Sequence, residues 1–167
     1  MTAKKIIDIL GLKPLQKEGG YFRETYRAEE KTAPAHIPSM YCDSKSLCTA
    51  IYYLLTPDAF SSLHKLPTDE IFHFYLGDPV TMLQLRPDLT SEVITLGHEL
   101  DKDQHVQVIV PEGTWQGSFL KEGGRYALLG TTMVPGFDFS DYVEGSREEL
   151  LSQYPDKKEL IKKLTSQ

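Results

Sequence analysis

The sequence of 167 residues lacks long apolar runs, free clusters of basic residues and any tract of low complexity. No apolar run approaches the ~20 residues that a membrane-spanning helix requires. The apolar segment near the N-terminus is too short and too interrupted for a signal peptide. A formal net charge of −6 argues against a nucleic-acid partner, because the phosphate backbone requires a basic surface. We therefore expect neither a membrane nor a nucleic acid as a partner.

Cysteine is scarce as well. The two cysteines, Cys42 and Cys48, are separated by five residues, a spacing that fits no zinc or redox motif. A single pair is also a thin basis for a disulfide framework. We expect reduced thiols and a cytoplasmic location.

The two ends of the chain have the pattern of short helices. Apolar residues recur at helical spacing from Thr2 to Gly11, where the glycine is a suitable C-terminal stop. Near the other end, Ser146 and Glu149 have the spacing of a capping box. Pro155 then divides the C-terminal region into two short helices. No linker interrupts the chain, so we expect one domain over residues 1–167.

The region between these ends has the pattern of β-structure. Short runs rich in β-branched and aromatic residues alternate with Gly, Pro and Asp. The predicted strands cover residues 22–27, 47–55, 70–76, 80–86, 92–96, 105–110, 115–119 and 125–133. Because no long helix separates them, the pattern predicts an all-β sandwich or barrel.

Two motifs give this region a more specific likeness. His64 stands six residues before Glu70, and Gly77 follows seven residues after that glutamate. About forty residues later the sequence reads Pro-Glu-Gly-Thr-Trp-Gln and ends at Gln116. These segments resemble the two motifs of the cupin superfamily, in which histidines precede a glutamate and Pro-x-Gly-x-x-His follows.

Three segments in order narrow the resemblance to small RmlC-like cupins of the cupin-5 type, a family of unknown function. They are residues 18–27, 64–79 and 135–139. The resemblance implies a cupin double-stranded β-helix, or jelly roll, with its barrel core over about residues 12–143 and a helical tail over about 146–165. It also implies a homodimer. It implies no agreed activity.

The metal-binding positions of the cupin motifs are changed in this chain. Cupins use a His-x-His pair, but here Leu66 stands where the second histidine would be, and Gln116 replaces the last one. The resemblance implies one divalent metal ion held by His64, Glu70 and Gln116. An amide oxygen is a weak ligand for transition metals, so a hard cation or no metal are the alternatives.

Strand periodicity assigns the residues around Glu70 to two faces. Glu70 and Phe72 share one face of a regular strand, which points inward in a cupin, and His73 shares the other. Ser62 has the same parity as His64, which predicts a place at the pocket rim. Trp115 has the opposite parity to Gln116, which predicts a packing role.

The predicted strand over residues 22–27 contains two arginines that could contribute a positive charge to the pocket. Arg23 and Arg27 share one face of the strand over residues 22–27. If that face turns inward, a guanidinium would bind phosphate or carboxylate; if it turns outward, both residues face solvent or an interface. We favour Arg23 near the pocket mouth because Gly19 and Gly20 allow a close backbone approach, although the glycine pair is equally compatible with a plain turn.

Three functions fit these residues. In the first, Glu70 or His64 moves a proton beside a carbonyl group of a sugar or nucleotide derivative, as in an isomerase or epimerase, with Ser62, Arg23, Phe72 and Gln116 contacting the small molecule. In the second, the same pocket binds a small ligand without chemistry. In the third, the protein is a structural dimer and the cluster is a buried polar network with a vestigial metal site.

Overall fold

The computed structural model describes residues 1–32 and 44–165, so the prediction for Cys42 lies outside the described residues. Cys48 carries a free, half-buried thiol. No helix among the described residues has the length and apolar character needed to cross a membrane.

Within the described residues, twelve strands form two six-stranded sheets. The strands are β1 (Lys13–Pro14), β2 (Tyr21–Arg27), β3 (Thr49–Leu55), β4 (Phe60–Lys65), β5 (Glu70–Gly77), β6 (Val80–Leu85), β7 (Ser91–Leu96), β8 (Gln104–His105), β9 (Gln107–Val110), β10 (Trp115–Leu120), β11 (Ala127–Met133) and β12 (Val143–Glu144). One sheet has the order β1-β2-β3-β11-β5-β9, and the other has the order β12-β4-β10-β6-β7-β8. All pairings are antiparallel except that of β7 with β8. The prediction of an all-β jelly roll is confirmed.

The main core lies between the two sheets. Phe72 and Leu129 from the first sheet and Val80 and Met82 from the second are almost completely buried there. The strands alternate in burial, which leaves the opposite residues to the outer faces. The cavity described below opens at one end of this core.

Within residues 1–32 and 44–165, three short α-helices cover the outer faces of the sheets. They are α1 (Ala3–Leu10), α2 (Arg147–Gln153) and α3 (Lys158–Lys163). Leu150 of α2 and Ile161 of α3 pack against Leu83 and Leu85 on the outside of the second sheet. Ile6 of α1 packs against Leu54 on the outside of the first.

The predicted helix ends are observed. The Thr2 hydroxyl accepts a hydrogen bond from the amide of Lys5, and Gly11 ends α1 in the left-handed conformation. The Ser146 hydroxyl accepts from the amide of Glu149. These local contacts depend on residues close in sequence, which is why the pattern predicts them well.

The sequence pattern missed β4 and the two-residue strands β1 and β12. β4 lies over Phe60–Lys65, where we predicted no strand, and it carries His64. Its inward-facing positions are polar, so the run has neither a continuous apolar stretch nor a clean alternation. The polar residues at these positions remove the signal that would have identified the strand.

Candidate functional site

A register shift in β4 sets the geometry of the site. Gln116 of β10 pairs with His64, but Ser118 pairs with Ser61, so β4 contains one extra residue in this stretch. Such a bulge changes which side chains share a face. Ser61 therefore joins His64 at the site. Ser62, which parity placed at the pocket rim, contributes its backbone: its amide donates to the Glu18 carbonyl at 2.8 Å.

His64, Gln116 and Glu70 form a hydrogen-bonded chain inside the barrel. The Nδ1 atom of His64 lies 2.7 Å from the Ser62 carbonyl oxygen, so this nitrogen carries the hydrogen. The Nε2 atom of His64 then accepts from the Gln116 amide nitrogen at 2.9 Å. The same amide nitrogen donates to Glu70 Oε2 at 3.0 Å. The three residues that the motifs single out are thus brought together, with both ring nitrogens of His64 engaged in hydrogen bonds.

Glu70 has an altered acidity. Its pKa is raised to about 8, chiefly by burial, and further by the negative charge of Glu18. A hydrogen bond from the Thr131 hydroxyl opposes part of this rise. The Glu70 carboxyl is therefore mostly protonated at neutral pH.

Glu18 belongs to the site, although the sequence pattern did not single it out. Its Oε1 atom accepts from the Ser61 hydroxyl at 2.9 Å, and its Oε2 atom lies 3.9 Å from His64 Nε2. Its charge also contributes to the raised pKa values of the Tyr53 and Tyr142 phenols, in which burial is the larger cause. The available signal was the glycine pair that follows it: Gly19 and Gly20 both have positive φ angles, which fix the turn after Glu18.

A cavity of about 100 Å³ reaches the two carboxyl groups. That is room for several waters or for one small organic molecule. Its lining combines apolar and aromatic side chains with six charged ones. The charged lining residues are Lys17, Glu18, Glu24, Arg27, Glu70 and Asp138. Phe22, Phe137, Phe139 and Tyr142 supply the aromatic walls.

The inner residues of the hydrogen-bonded chain stand behind this cavity. Tyr142, which lines the cavity, stacks on the His64 ring with centroids 4.8 Å apart. His64 and Gln116 are each 1% exposed. Phe72, predicted to contact a ligand, is buried in the main core. Glu70 and Glu18 are therefore the titratable groups of the cluster that line the cavity.

The arginine at the cavity is Arg27, whereas we had favoured Arg23. The pairing of β2 with β3 shifts between Glu24 and Tyr26, so Phe22, Glu24 and Arg27 line the cavity despite their mixed parity. The Arg23 guanidinium lies 5.6 Å from the centroid of the Tyr52 ring. Arg23 points away because it alternates with Phe22 and Glu24, and the bulge after Glu24, which the sequence does not reveal, brings Arg27 to the cavity side.

Two predictions made from strand periodicity, the outward face of His73 and the packing role of Trp115, agree with the structure. His73 lies on the outer face of its sheet, where Thr132 Oγ1 is 3.3 Å from its Nε2 atom. Trp115 packs with the cluster beneath α2 and α3, and the Lys65 ammonium lies 4.5 Å from the centroid of its ring. Neither residue belongs to the cavity lining.

The residues present do not fit the metal that the cupin motifs imply. Among residues 1–32 and 44–165, no group of three or more His, Cys, Asp or Glu side chains is arranged to hold a metal ion. The Gln116 side chain directs its nitrogen, a hydrogen-bond donor, toward both His64 and Glu70. A donor hydrogen repels a cation, so this arrangement opposes coordination.

This mismatch predicts a gain of metal binding when the cupin histidines are restored. Wild-type protein equilibrated with Mn²⁺ or Zn²⁺ and then desalted should retain less than about a tenth of an equivalent. The double variant Leu66→His, Gln116→His should retain close to one, because Leu66 lines the cavity and Gln116 contacts both other ligands. Elemental analysis measures both. Stoichiometric metal in the wild-type protein would contradict the prediction.

Comparison with protein families and relatives supports the cupin fold that the two sheets form. The family model described as Cupin superfamily (DUF985) matches residues 4–143. An uncharacterized protein of Saccharomyces cerevisiae is 31% identical over 135 residues, which are 75% of this chain and 67% of that protein.

Two solved structures match almost the whole chain. A hypothetical protein from Leishmania major has a TM-score of 0.89 and 27% identity, with 100% of both chains covered. A protein from Shewanella oneidensis has a TM-score of 0.85 and 33% identity, with 99% of this chain and 98% of that chain covered.

More distant structural neighbours include oxalate decarboxylase from Bacillus subtilis. It has a TM-score of 0.53 and 17% identity, and the match covers 92% of this chain but 37% of that one. At this identity the likeness concerns the fold alone. That neighbour is described as having Mn(II) centers.

Proposed function

This chain belongs to the Cupin_5 family (DUF985) of the cupin superfamily, and on that premise we propose that its cavity binds a small polar carbonyl compound and moves a proton on it, as an isomerase or epimerase does. The observation that carries the proposal is Glu70, a buried carboxyl group on the cavity wall whose pKa is raised to about 8. The proposed reaction proceeds through carboxyl groups of the chain itself.

A carboxyl group of this acidity suits proton transfer at neutral pH. General acids and bases work best when their pKa lies near the operating pH. With a pKa of about 8, roughly nine tenths of the Glu70 carboxyl groups are protonated at pH 7. A protonated carboxyl group donates a hydrogen bond to a carbonyl oxygen and stabilises the negative charge that develops there.

In this proposal His64 and Gln116 position Glu70 and do not react themselves. Both His64 ring nitrogens are engaged, and the Gln116 amide nitrogen is shared between His64 and Glu70. The Gln116 amide contacts Oε2 of Glu70 and the Thr131 hydroxyl also donates to this carboxyl group, so the network fixes the orientation of Glu70 on the cavity wall. Positioning groups of this kind are needed because a small misplacement reduces proton transfer strongly.

The charges around the cavity favour an uncharged sugar-like compound over a phosphorylated one. Arg27 donates through Nε and Nη2 to Glu24 and through Nη2 to the Phe137 carbonyl, and its Nη1 atom lies 3.7 Å from Asp138. Its guanidinium therefore has little capacity left for a phosphate. The carboxylates of Glu18, Glu24 and Asp138 would repel an anion.

A second candidate function is ligand binding without chemistry. It is favoured by the direct hydrogen bonds that join His64, Gln116 and Glu70, since such a network also stabilises a pocket that performs no reaction. The two functions differ in the expected effect of Glu70→Gln. Binding without chemistry survives this substitution, whereas proton transfer does not.

Hydrogen exchange with solvent tests the proposal without knowledge of the product. We expect the wild-type protein in D₂O at pH 7 to place deuterium on the carbon next to the carbonyl group of at least one member of a panel of free aldoses and ketoses. Phosphorylated members should exchange more slowly. Proton NMR follows the loss of the C–H signal. Glu70→Gln should reduce the exchange rate by about 100-fold or more.

The exposed Glu122, on a turn away from the cavity, supplies the matched control. Glu122→Gln should exchange like the wild-type protein. Compounds that bind in the cavity but never exchange would reject proton transfer in favour of binding alone. Equal exchange by the wild-type protein and Glu70→Gln would reject the role of Glu70.

A further inference from the structure

We infer that Glu18 is the base that removes the proton from the carbon of the bound compound, while Glu70 protonates the carbonyl oxygen. The inference rests on the proposed function and assigns its second catalytic group. The two glutamates lie on different segments of the chain, one in the turn between β1 and β2 and one at the start of β5, and both line the cavity.

The Glu18 carboxylate has one oxygen anchored and one available. Its Oε1 atom accepts from the Ser61 hydroxyl at 2.9 Å. Its Oε2 atom has the His64 ring as its nearest ion-pair neighbour, at 3.9 Å from Nε2. Among the described residues, no Lys or Arg lies within ion-pair distance of it. An oxygen without a cation keeps its capacity to accept a proton from a molecule in the cavity.

The backbone holds Glu18 in a fixed place. The Glu18 carbonyl accepts from the amide of Ser62, and the Gly19 amide donates to the Leu15 carbonyl. The Gly19 carbonyl accepts from the Tyr53 hydroxyl at 2.9 Å. The side chain is 16% exposed, so a few accessible atoms face the cavity while the rest is packed. A base needs this combination of rigid placement and access.

The two carboxyl groups complete a balanced reaction. Glu18 takes a proton from the carbon beside the carbonyl group, and the C–H electron pair becomes the carbon–carbon double bond of an enediol. The Glu70 proton passes to the carbonyl oxygen. In the return step Glu70 takes a hydroxyl proton back and Glu18 returns its proton to carbon, either to the neighbouring carbon or to the opposite face after rebinding. No oxidant, reductant or co-reactant is needed.

Neutral variants of Glu18 test the assignment with the same deuterium exchange assay. We expect Glu18→Gln to reduce the exchange rate by about 100-fold or more while the dissociation constant of the exchanging sugar changes less than about threefold. Glu18→Asp should recover part of the rate. Ser61→Ala, which removes the anchor of Oε1, should lower the rate by about tenfold with Glu18 still present. Glu122→Gln again serves as the unchanged control.

The outcomes separate this inference from the proposed function. Exchange by Glu18→Gln at the wild-type rate would overturn the role of Glu18 and leave that of Glu70 intact. Exchange by no panel member with the wild-type protein would overturn both. If Glu18→Gln does not fold, Ser61→Ala decides: a rate like that of the wild-type protein would overturn the inference, and a tenfold loss without loss of binding would support it.

Discussion

The free energy of unfolding of the wild-type protein should fall as the pH rises from about 5 to 8, and Glu70→Gln should remove this part of the pH dependence. The pKa of Glu70 is raised from 4.5 to about 8 in the folded protein. Between these two values the folded state holds a proton that the unfolded state has released. Stability is therefore lost as the pH increases through this window, in contrast to the usual behaviour of carboxyl groups.

The expected size follows from the linkage of one proton. Each pH unit inside the window changes the free energy of unfolding by about 1.4 kcal/mol. Between pH 5.5 and 7.5 the wild-type protein should lose about 2 to 3 kcal/mol more than Glu70→Gln. Urea unfolding at several pH values measures this difference, since comparison with the variant cancels the other groups that titrate in the same range.

The Glu122→Gln variant provides the control for the loss of a carboxyl group. Its stability should follow the wild-type curve, because Glu122 is exposed. Parallel curves for the wild-type protein and Glu70→Gln would mean that Glu70 titrates at an ordinary pKa. In that case Glu70 would be ionised at neutral pH and could not donate a proton to a carbonyl oxygen.

The sequence predicts regular strands well, since burial there follows a strict period of two. In β5 the inward face of Glu70 and Phe72 and the outward face of His73 are both observed. The motif spacing also brings His64, Glu70 and Gln116 together. The catalytic role of Glu70, the homodimer and the cytoplasmic location stay predictions, whereas the donor nitrogen of Gln116 opposes the predicted metal site.

Bulges explain the misplaced residues. One extra residue in β4 directs Ser61 to the Glu18 carboxylate, whereas strand periodicity predicted Ser62 at the pocket rim. A shift in β2 after Glu24 brings Arg27 to the cavity, while Arg23 points away because the face of Phe22 and Glu24 is the inward one. A bulge depends on pairing with a strand distant in sequence, so the local pattern contains no sign of it.

Glu18 was missed for a different reason. No motif spacing connects it with Glu70, and its hydrogen-bond partners Ser61 and Ser62 come from β4. The glycine pair that follows was open to two interpretations, a close approach or a plain turn. The structure favours the close approach, because a Cβ atom on Gly19 would lie 2.1 Å from the Phe60 carbonyl oxygen.

Replacing Gly19 with alanine should therefore be among the most destabilising single substitutions in the chain. Gly19 has a φ angle of +100°, and the atom that a methyl group would meet belongs to the backbone of β4, which cannot rotate away. Either the turn or β4 must move. We expect a loss of about 4 kcal/mol or more in the free energy of unfolding, or failure to fold.

Gly123 offers a matched comparison, since it also has a positive φ angle, +79°, but no heavy atom lies within 4 Å of the position that a methyl group would take there. Gly123→Ala should cost about 1 to 2 kcal/mol, the strain of the backbone conformation alone. Chemical denaturation measures the free energy of unfolding of both variants, and the difference between their losses gives the cost of the steric clash with Phe60 beyond the backbone strain. Equal losses would contradict the close approach of the turn to β4. A much larger loss for Gly19→Ala would support it, and the surviving folded fraction should show weakened Glu18–Ser61 contact, because the displaced turn carries the Glu18 carboxylate away from β4.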